Sequence, residues 1–271
     1  MRLAMAQMSM VNNFERNYNK SLQFLDLADT HKADLIFFPK LQLTSYFPQY
    51  RKKDVGGALD RIPAEFAIEL SDFRIREMSK KCKKYGIFAS PNIYIRDREW
   101  FYDISIWIEP DGAMASEARQ VCIADALHFH EKDYFASSKK GFSVYETPFG
   151  RVGIVIGYDR HLTESIAACV SKGADLVLVP VSNAVGEPLE MYAIEMRAAA
   201  FQNGVFVAMA NRVGNEDGML FAGESMVVDP NGRIVVKADD SQQFIVCNIE
   251  LSEARKAREK RPYRQAVRPE L

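Results

Sequence analysis

Cysteine is scarce and unpaired in this chain of 271 residues. The four cysteines, Cys82, Cys122, Cys169 and Cys247, show no CxxC spacing, which argues against a disulfide framework and against a closed zinc site. We therefore expect free thiols in a reducing compartment and a cytoplasmic location. Cys82, Cys169 and Cys247 are predicted to be core residues.

Long apolar runs and an excess of one charge are also missing. No stretch reaches the roughly 18 apolar residues that cross a bilayer, and the opening MRLAMAQMSM lacks the apolar region of a secretory signal. Lys and Arg number 35 and Asp and Glu number 36, so no overall field attracts nucleic acid or an acidic membrane. With 48% hydrophobic residues, 15 Gly and 11 Pro, the composition is that of a folded globular protein without nucleic-acid or membrane partners.

The first half of the chain switches between strand-like and helix-like apolar spacing. The spacing predicts strands over residues 2–8, 35–38, 87–95, 101–108 and 114–123. One helix is predicted between the first two strands. Another is predicted from Ile62-Pro63 to Gly86, because glycine suits the position after a helix. A turn is predicted at residues 109–112, Glu-Pro-Asp-Gly.

The second half repeats this logic. The spacing predicts strands over residues 151–156, 175–179, 205–210, 225–228, 232–238 and 244–249. Helices are predicted after Tyr158 and over 189–203, and a turn at 229–232. No linker separates the halves. The pattern therefore predicts one domain over 1–271, an α/β fold in which helices cover two packed mixed sheets in a four-layer α-β-β-α sandwich.

The segment 252–271 is basic and has helical propensity. Because Tyr263 is its only aromatic residue, we favour a solvated helix followed by an interface tail over a nucleic-acid patch.

The strongest local signal is TPFGRVGIVIGYDRHLTES, residues 147–165. A buried strand runs into a sharp turn at Gly157-Tyr158-Asp159, the geometry with which hydrolases expose a nucleophile beside free backbone N–H groups. The residue at the turn is Gly157, which has no side chain that could attack a substrate.

Eight motifs in order resemble the nitrilase, or carbon-nitrogen hydrolase, superfamily across essentially the whole chain. They are Gln7 with Asn17, ADLIFFPKLQLTSY (33–46), IEPDG (108–112), EKDYF (131–135), ETPFGRVG (146–153), GYDRHLTE (157–164), RAAAFQNGVFVAMANRVG (197–214) and GESMVVDPNG (223–232), with RPEL (268–271) closing the chain. The resemblance implies a nitrilase-like fold, the same sandwich that the periodicity predicts.

Members of that family use a Glu base, an oxyanion-stabilising Lys, a Cys nucleophile and usually a second Glu. When the family's catalytic roles are assigned to this sequence by matching motifs, the base position holds Lys40 and the nucleophile position holds Gly157. The accessory acid is retained as Glu131. The family lysine aligns with Gln120 or, in another register, with Ala126. A chain that lacks the thiol and the base cannot run the family's covalent mechanism.

Other candidates have a simpler structural interpretation. Cys122 could replace the missing nucleophile, but no motif places a His or a carboxylate beside it, so we expect a strand residue. His128 and His130 lack a third metal ligand, and no metal or cofactor is expected. Asp159, Arg160 and Arg197 are expected to hold the elbow and its helix in place.

The sequence therefore favours a catalytically inactive pseudo-amidase that binds a small carboxylate or amide, or that serves as a structural or regulatory subunit. The predicted ligand site comprises Lys40, Gln120, Glu131, Gly157 and Tyr158. An ion pair between Lys40 and Glu131 is expected to neutralise the retained acid. The alternative is an amide hydrolase in which Glu131 activates water and Lys40 stabilises the oxyanion. By resemblance we expect a homodimer or a larger homo-oligomer that pairs through Arg151–Glu164 and the basic tail.

Overall fold

The computed structural model describes residues 1–55 and 63–266, with side chains up to residue 264. Its helices are α1 (Phe14–Thr30), α2 (Phe73–Tyr85), α3 (Thr163–Ser171), α4 (Leu189–Asn203) and α5 (Ser252–Lys260). Its strands are β1 (Arg2–Gln7), β2 (Leu35–Phe37), β3 (Phe88–Ser90), β4 (Asn92–Asp97), β5 (Trp100–Ile108), β6 (Met114–Arg119), β7 (Ser143–Thr147), β8 (Gly150–Ile154), β9 (Leu176–Val181), β10 (Phe206–Asn211), β11 (Val213–Glu216), β12 (Met219–Ala222), β13 (Met226–Val228), β14 (Ile234–Lys237) and β15 (Gln243–Asn248).

Two large mixed sheets form the centre of the fold. The first has the order β15-β1-β2-β3-β5-β4, with β6 also paired to β5, and the second has the order β14-β13-β10-β9-β8-β7. In each sheet the central strands run parallel, β1-β2-β3 and β8-β9-β10, and antiparallel strands flank them. A hairpin of β11 and β12 stands apart from both sheets.

Side-chain alternation along the strands builds four layers. Leu3 and Met5 of β1 point between the sheets, where they share one apolar cluster with Ile154 and Leu178 of the second sheet. Ala4 and Ala6 point outward to the cluster beneath α1 and α2. Helices α3 and α4 cover the opposite face of the second sheet in the same way. The predicted α-β-β-α sandwich is therefore observed.

The start of the second helix was predicted wrongly. Helix α2 begins at Phe73, because the Asp72 carboxylate accepts a hydrogen bond from the Arg74 N–H and caps it. Upstream, residues Pro63–Phe66 form a 3-10 turn and Ile68 bridges to Ile95. Ile62 lies outside the described residues. The helix does end at Gly86, in the left-handed conformation that glycine tolerates.

Several strand boundaries also differ from the predictions. The predicted strand 87–95 is divided into β3 and β4 at Pro91, since proline cannot donate a ladder hydrogen bond. The predicted strand 114–123 ends at Arg119, and residues 120–123 form the loop that enters the site. Strands β7, β11 and β12 were not predicted. Both predicted turns are confirmed, by hydrogen bonds from the Gly112 N–H to Glu109 and from the Gly232 N–H to Asp229.

Helix α5 lies beside the start of β9 in the second sheet, where two of its arginines donate hydrogen bonds to Asp175. Arg255 and Arg258 donate to the two oxygens of Asp175 at 2.7 and 2.6 Å. The Asp175 side chain is 4% exposed, so this fork fixes the helix on the fold. Helix α5 is therefore not wholly solvated, since it also buries Ala254 and Ala257, and the interface tail stays a prediction.

Candidate functional site

Four chain segments meet where strands of both sheets end. Lys40 follows β2, Gln120 follows β6, Glu131 begins the 3-10 turn Glu131–Asp133, and Gly157 follows β8. Parallel strands that end at one edge bring together residues that are far apart in sequence. The structure thus brings together the four residues that the family motifs single out, and it places each of them in the protein interior.

The Lys40 ammonium lies at the centre of this cluster. Its Nζ donates to Glu131 Oε1 at 2.5 Å and to Gln120 Oε1 at 2.8 Å, and it lies 3.1 Å from Asp103 Oδ2. The side chain is 0% exposed. Burial alone would lower the pKa of Lys40, but the two carboxylates outweigh it and the pKa is raised. The predicted ion pair with Glu131 is therefore present, with Lys40 in its charged form.

Both carboxylate oxygens of Glu131 are occupied. Oε1 accepts one hydrogen bond from Lys40 Nζ and a second, of 2.8 Å, from the Tyr46 hydroxyl. Oε2 accepts a hydrogen bond of 3.1 Å from Gln120 Nε2. The residue is 2% exposed. The Phe135 ring lies 5.4 Å from Lys40 Nζ. Glu131 is therefore held by three protein donors, two on Oε1 and one on Oε2.

Asp103, in β5, is a member of the cluster that the sequence analysis missed. Burial raises its pKa to about 6, against the attraction of Lys40. Within β5 it sits between Tyr102 and Ile104 and is the only charged residue of the strand. A single acid in a strand that is buried on both sides is the sequence signal that could have identified it.

The elbow after β8 is fixed by its polar residues, as predicted. The Asp159 carboxylate accepts from the backbone N–H groups of Val121 and Cys122 at 3.0 and 2.6 Å. Arg160 donates to the Gly157 carbonyl and to Asn183. Burial raises the pKa of Asp159 to about 6, although those N–H groups oppose the change. The elbow thereby holds the loop that carries Gln120.

These two acids give the protein an unusual pH dependence. The folded pKa of each is about 6, above the ordinary 3.8, so the folded protein retains protons that the unfolded chain releases. Their contribution to stability is therefore greatest below pH 3.8 and is lost as the pH rises through about 6. The free energy of unfolding of the wild type, minus that of Asp103→Asn, should decrease over this interval in denaturant titrations. A difference that stays constant with pH would contradict the assignment.

Gly157 lies directly against the Lys40 side chain. A Cβ atom at residue 157 would lie 2.8 Å from Lys40 Nζ and 3.2 Å from its Cδ. The φ of Gly157 is +55°, a conformation that favours glycine. A side chain at position 157 would therefore compete with Lys40 for the same space. Tyr158, the last residue of the predicted ligand site, is 44% exposed and so lies at the surface rather than within the buried cluster.

The alternative register and the histidine pair lie outside the cluster. Ala126 is in an exposed loop, where it pairs with Phe129, so of the two register candidates only Gln120 contacts Lys40 and Glu131. His128 has a φ of 64° on the same loop. Among the described residues no group of three or more His, Cys, Asp or Glu is placed to hold a metal ion.

The cysteines lack the features of an activated thiol. Cys82 and Cys169 are buried, which raises the pKa of each to about 12, and burial raises the pKa of Cys247 to about 11. Cys247 is partly exposed and packs against the inter-sheet cluster. Cys122 has a carboxylate beside it, contrary to the sequence expectation, because its own N–H donates to Asp159. Burial and that carboxylate raise the pKa of Cys122, which disfavours the thiolate.

A separate cavity of about 790 Å³ opens beside the buried cluster. Its lining includes Tyr50, His130, Val185, Asp217 and Leu220. Lys40, Gln120 and Gly157 do not line it. The charged cluster thus does not open into this cavity.

The sequence matches the Carbon-nitrogen hydrolase family over residues 2–259. The chain belongs to the carbon-nitrogen hydrolase family. Within the residues that the structure describes, every helix of this family member is too short or too polar to span a membrane.

Relatives of this carbon-nitrogen hydrolase family member include proteins named as amidases and nitrilases. The omega-amidase NIT2 of Xenopus tropicalis is 28% identical over 280 residues, which cover 100% of this chain and 96% of the relative. The nitrilase of Pyrococcus abyssi is 26% identical over 239 residues, which cover 88% of this chain and 84% of the relative. The solved carbon-nitrogen hydrolase from Helicobacter pylori G27 matches with a TM-score of 0.88 at 21% identity, covering 100% of this chain and 96% of that one. These likenesses confirm the predicted nitrilase-like fold.

Proposed function

We propose that this protein is a catalytically inactive pseudo-amidase of the carbon-nitrogen hydrolase family that serves as a structural or regulatory subunit. The observation that carries the proposal is the contact between Lys40 and Gly157. The position that would carry the family's thiol has no side chain, and a cation fills the space in front of it. Without a nucleophile and a free base, the thioester route is closed.

A structural role is favoured over binding of a small carboxylate or amide at this centre. A lysine ammonium has three donors, and three acceptor residues, Glu131, Gln120 and Asp103, already surround Lys40 Nζ. A ligand carboxylate would have to displace one of them in a site without solvent access. Binding at Lys40, Gln120, Glu131, Gly157 and Tyr158 therefore remains a prediction that requires the cluster to open.

The second candidate is amide hydrolysis by a water that Glu131 activates, with Lys40 stabilising the oxyanion. The amidases among its relatives and the retained acid support it. Its requirement is a carboxylate oxygen within hydrogen-bond reach of a water. Tyr46, Lys40 and Gln120 contact both oxygens of Glu131. The residue is also only 2% exposed, and this burial disfavours the candidate.

Ammonia release from short aliphatic amides, including omega-amides, decides between the two candidates. The wild type should release ammonia no faster with the amide than without it, because no nucleophile reaches the substrate. Glu131→Gln, prepared in parallel, is the control for a contaminating amidase. Release of more than one ammonia per chain that requires the added amide and disappears in Glu131→Gln would establish the water mechanism instead.

A subunit role also requires an assembly surface, and we propose homodimerisation through the elbow and the helices that follow it. Apolar side chains there are exposed: Tyr158 by 44%, Leu162 by 36%, Met191 by 54% and Ile194 by 44%. The exposure of four large apolar side chains on the elbow and on α4 supports an interaction surface there. The four free thiols fit a cytoplasmic location for such an assembly.

Light scattering at micromolar concentration should give twice the chain mass of 30.7 kDa. Ile194→Asp should shift the species towards the monomer, because it places a charge in the buried interface. Leu127→Asp is the matched control, since Leu127 is 76% exposed but lies on the loop outside the proposed surface. A monomeric wild type would contradict the proposal.

A further inference from the structure

An amine, a carboxamide and a carboxylate are in mutual contact inside the protein. Lys40 Nζ lies 2.8 Å from Gln120 Oε1. Glu131 bridges the two, with Oε1 at 2.5 Å from Lys40 Nζ and Oε2 at 3.1 Å from Gln120 Nε2. One acid thus contacts both the amine and the nitrogen that would leave if the amine attacked the carboxamide carbon.

We propose that Lys40 and Gln120 form an intramolecular isopeptide bond, promoted by Glu131, which cross-links the end of β2 to the end of β6. This covalent modification differs from the amide hydrolysis of the family, because both reacting groups belong to the chain itself. It does not depend on the proposed inactivity, since Gly157 has no role in it.

The reaction balances without an oxidant or a co-reactant. Glu131 takes a proton from Lys40 Nζ, and the neutral amine attacks Cδ of Gln120. The C–N bond to Nε2 then breaks as Glu131 passes a proton to that nitrogen, and ammonia leaves. The remaining Nζ proton returns to Glu131 or to the departing ammonia as ammonium. One N–C bond forms and one breaks, so the chain loses one molecule of ammonia.

The surroundings supply what such a reaction needs. Lys40, Gln120 and Glu131 are 0%, 1% and 2% exposed, so water is not positioned to compete for the carboxamide. Lys40 and Gln120 follow strands of the same sheet and are joined by a hydrogen bond, which holds the amine and the carboxamide next to each other and raises their effective concentration. The Tyr46 hydroxyl fixes the shared oxygen of Glu131. Because the resting lysine is protonated, the bond forms slowly after folding rather than during it.

Intact mass under denaturing conditions tests the proposal directly. The wild type, purified and incubated for several days at neutral pH, should accumulate a form lighter by about 17 Da, the mass of the ammonia that the amine displaces. Lys40→Arg keeps the positive charge but has no amine, so it should keep its full mass. Glu131→Gln, which lacks the proton carrier, should form the lighter species at least about 100-fold more slowly.

Peptide mapping of the wild type locates the bond without any variant. Trypsin should fail to cleave after Lys40, so the segment 33–51 should be recovered joined to the segment 120–132. A chain that keeps its full mass overturns the proposal. So does a loss of about 17 Da that persists in Lys40→Arg, because the missing ammonia then comes from another residue. A gain of about 1 Da at Gln120 in place of the cross-link would also overturn it, by showing that water and not Lys40 attacked the carboxamide.

Discussion

Lys40→Ala should lower the free energy of unfolding by about 3–5 kcal/mol, the cost of leaving buried carboxylates without their counter-ion. Lys40 is the cation that Glu131 and Asp103 share, and none of the three side chains is more than 3% exposed. Their mutual repulsion adds to the desolvation of each. The variant should therefore unfold at a clearly lower denaturant concentration than the wild type at neutral pH.

Two further variants show that the effect comes from charge and not from lost volume. Lys80→Ala removes a lysine whose side chain is 72% exposed and which pairs with Glu77 on α2, and it should change stability by no more than about 0.5 kcal/mol. Lys40→Met combined with Glu131→Gln and Asp103→Asn removes all three charges, and it should recover most of the lost stability. If Lys40→Ala were as stable as the wild type, the ion cluster would not be the stabilising feature that the structure indicates.

Much of the fold follows from local patterns in the sequence. The alternation of apolar and small residues over 2–8 predicts a first strand, and the structure contains β1 there. Leu3 and Met5 face the cluster between the sheets, and Ala4 and Ala6 face the cluster beneath α1 and α2. The start of α2 was harder to predict because apolar residues before it belong to other elements. Phe66 lies in a 3-10 turn, and Ile68 forms a bridge to Ile95 of β4. Tertiary contacts override helical spacing there.

The site was predicted in part, and for a physical reason. Motif order predicted that Lys40 and Glu131 would meet, and complementary charge then predicted the ion pair that the structure contains. Asp103 could not be placed from a motif, because its part in the site depends on how β5 packs between its neighbours. The closure of the pocket depends on the path of the Lys40 side chain across Gly157, and a sequence does not specify that path.

Restoring a thiol at residue 157 should give very different results with and without Lys40. In Gly157→Cys alone, the new Cβ meets Lys40 Nζ at 2.8 Å and the thiol enters a site closed to solvent. In the triple variant Lys40→Glu, Gln120→Lys and Gly157→Cys, a carboxylate replaces the obstructing cation and can accept the thiol proton. Alkylation of the thiol introduced at residue 157 should then be about 100-fold faster, the effect of a positioned base.

The matched control for backbone strain is Gly86→Cys. Gly86 has a φ of +68°, close to the +55° of Gly157, and a Cβ there meets no atom within 4 Å. Its thiol is exposed and should react at the rate of a free cysteine. A low rate for Gly157→Cys beside a normal rate for Gly86→Cys therefore reports burial behind Lys40, and not the left-handed backbone.

The most direct test of the account is the rate at which iodoacetamide alkylates the thiol introduced by Gly157→Cys, followed by mass spectrometry of the tryptic segment 152–160. We expect almost no labelling in the folded single variant, rapid labelling of the triple variant, and equal labelling of both once they are unfolded. Labelling of the single variant as fast as that of the triple variant would contradict the claim that Lys40 fills the space in front of residue 157.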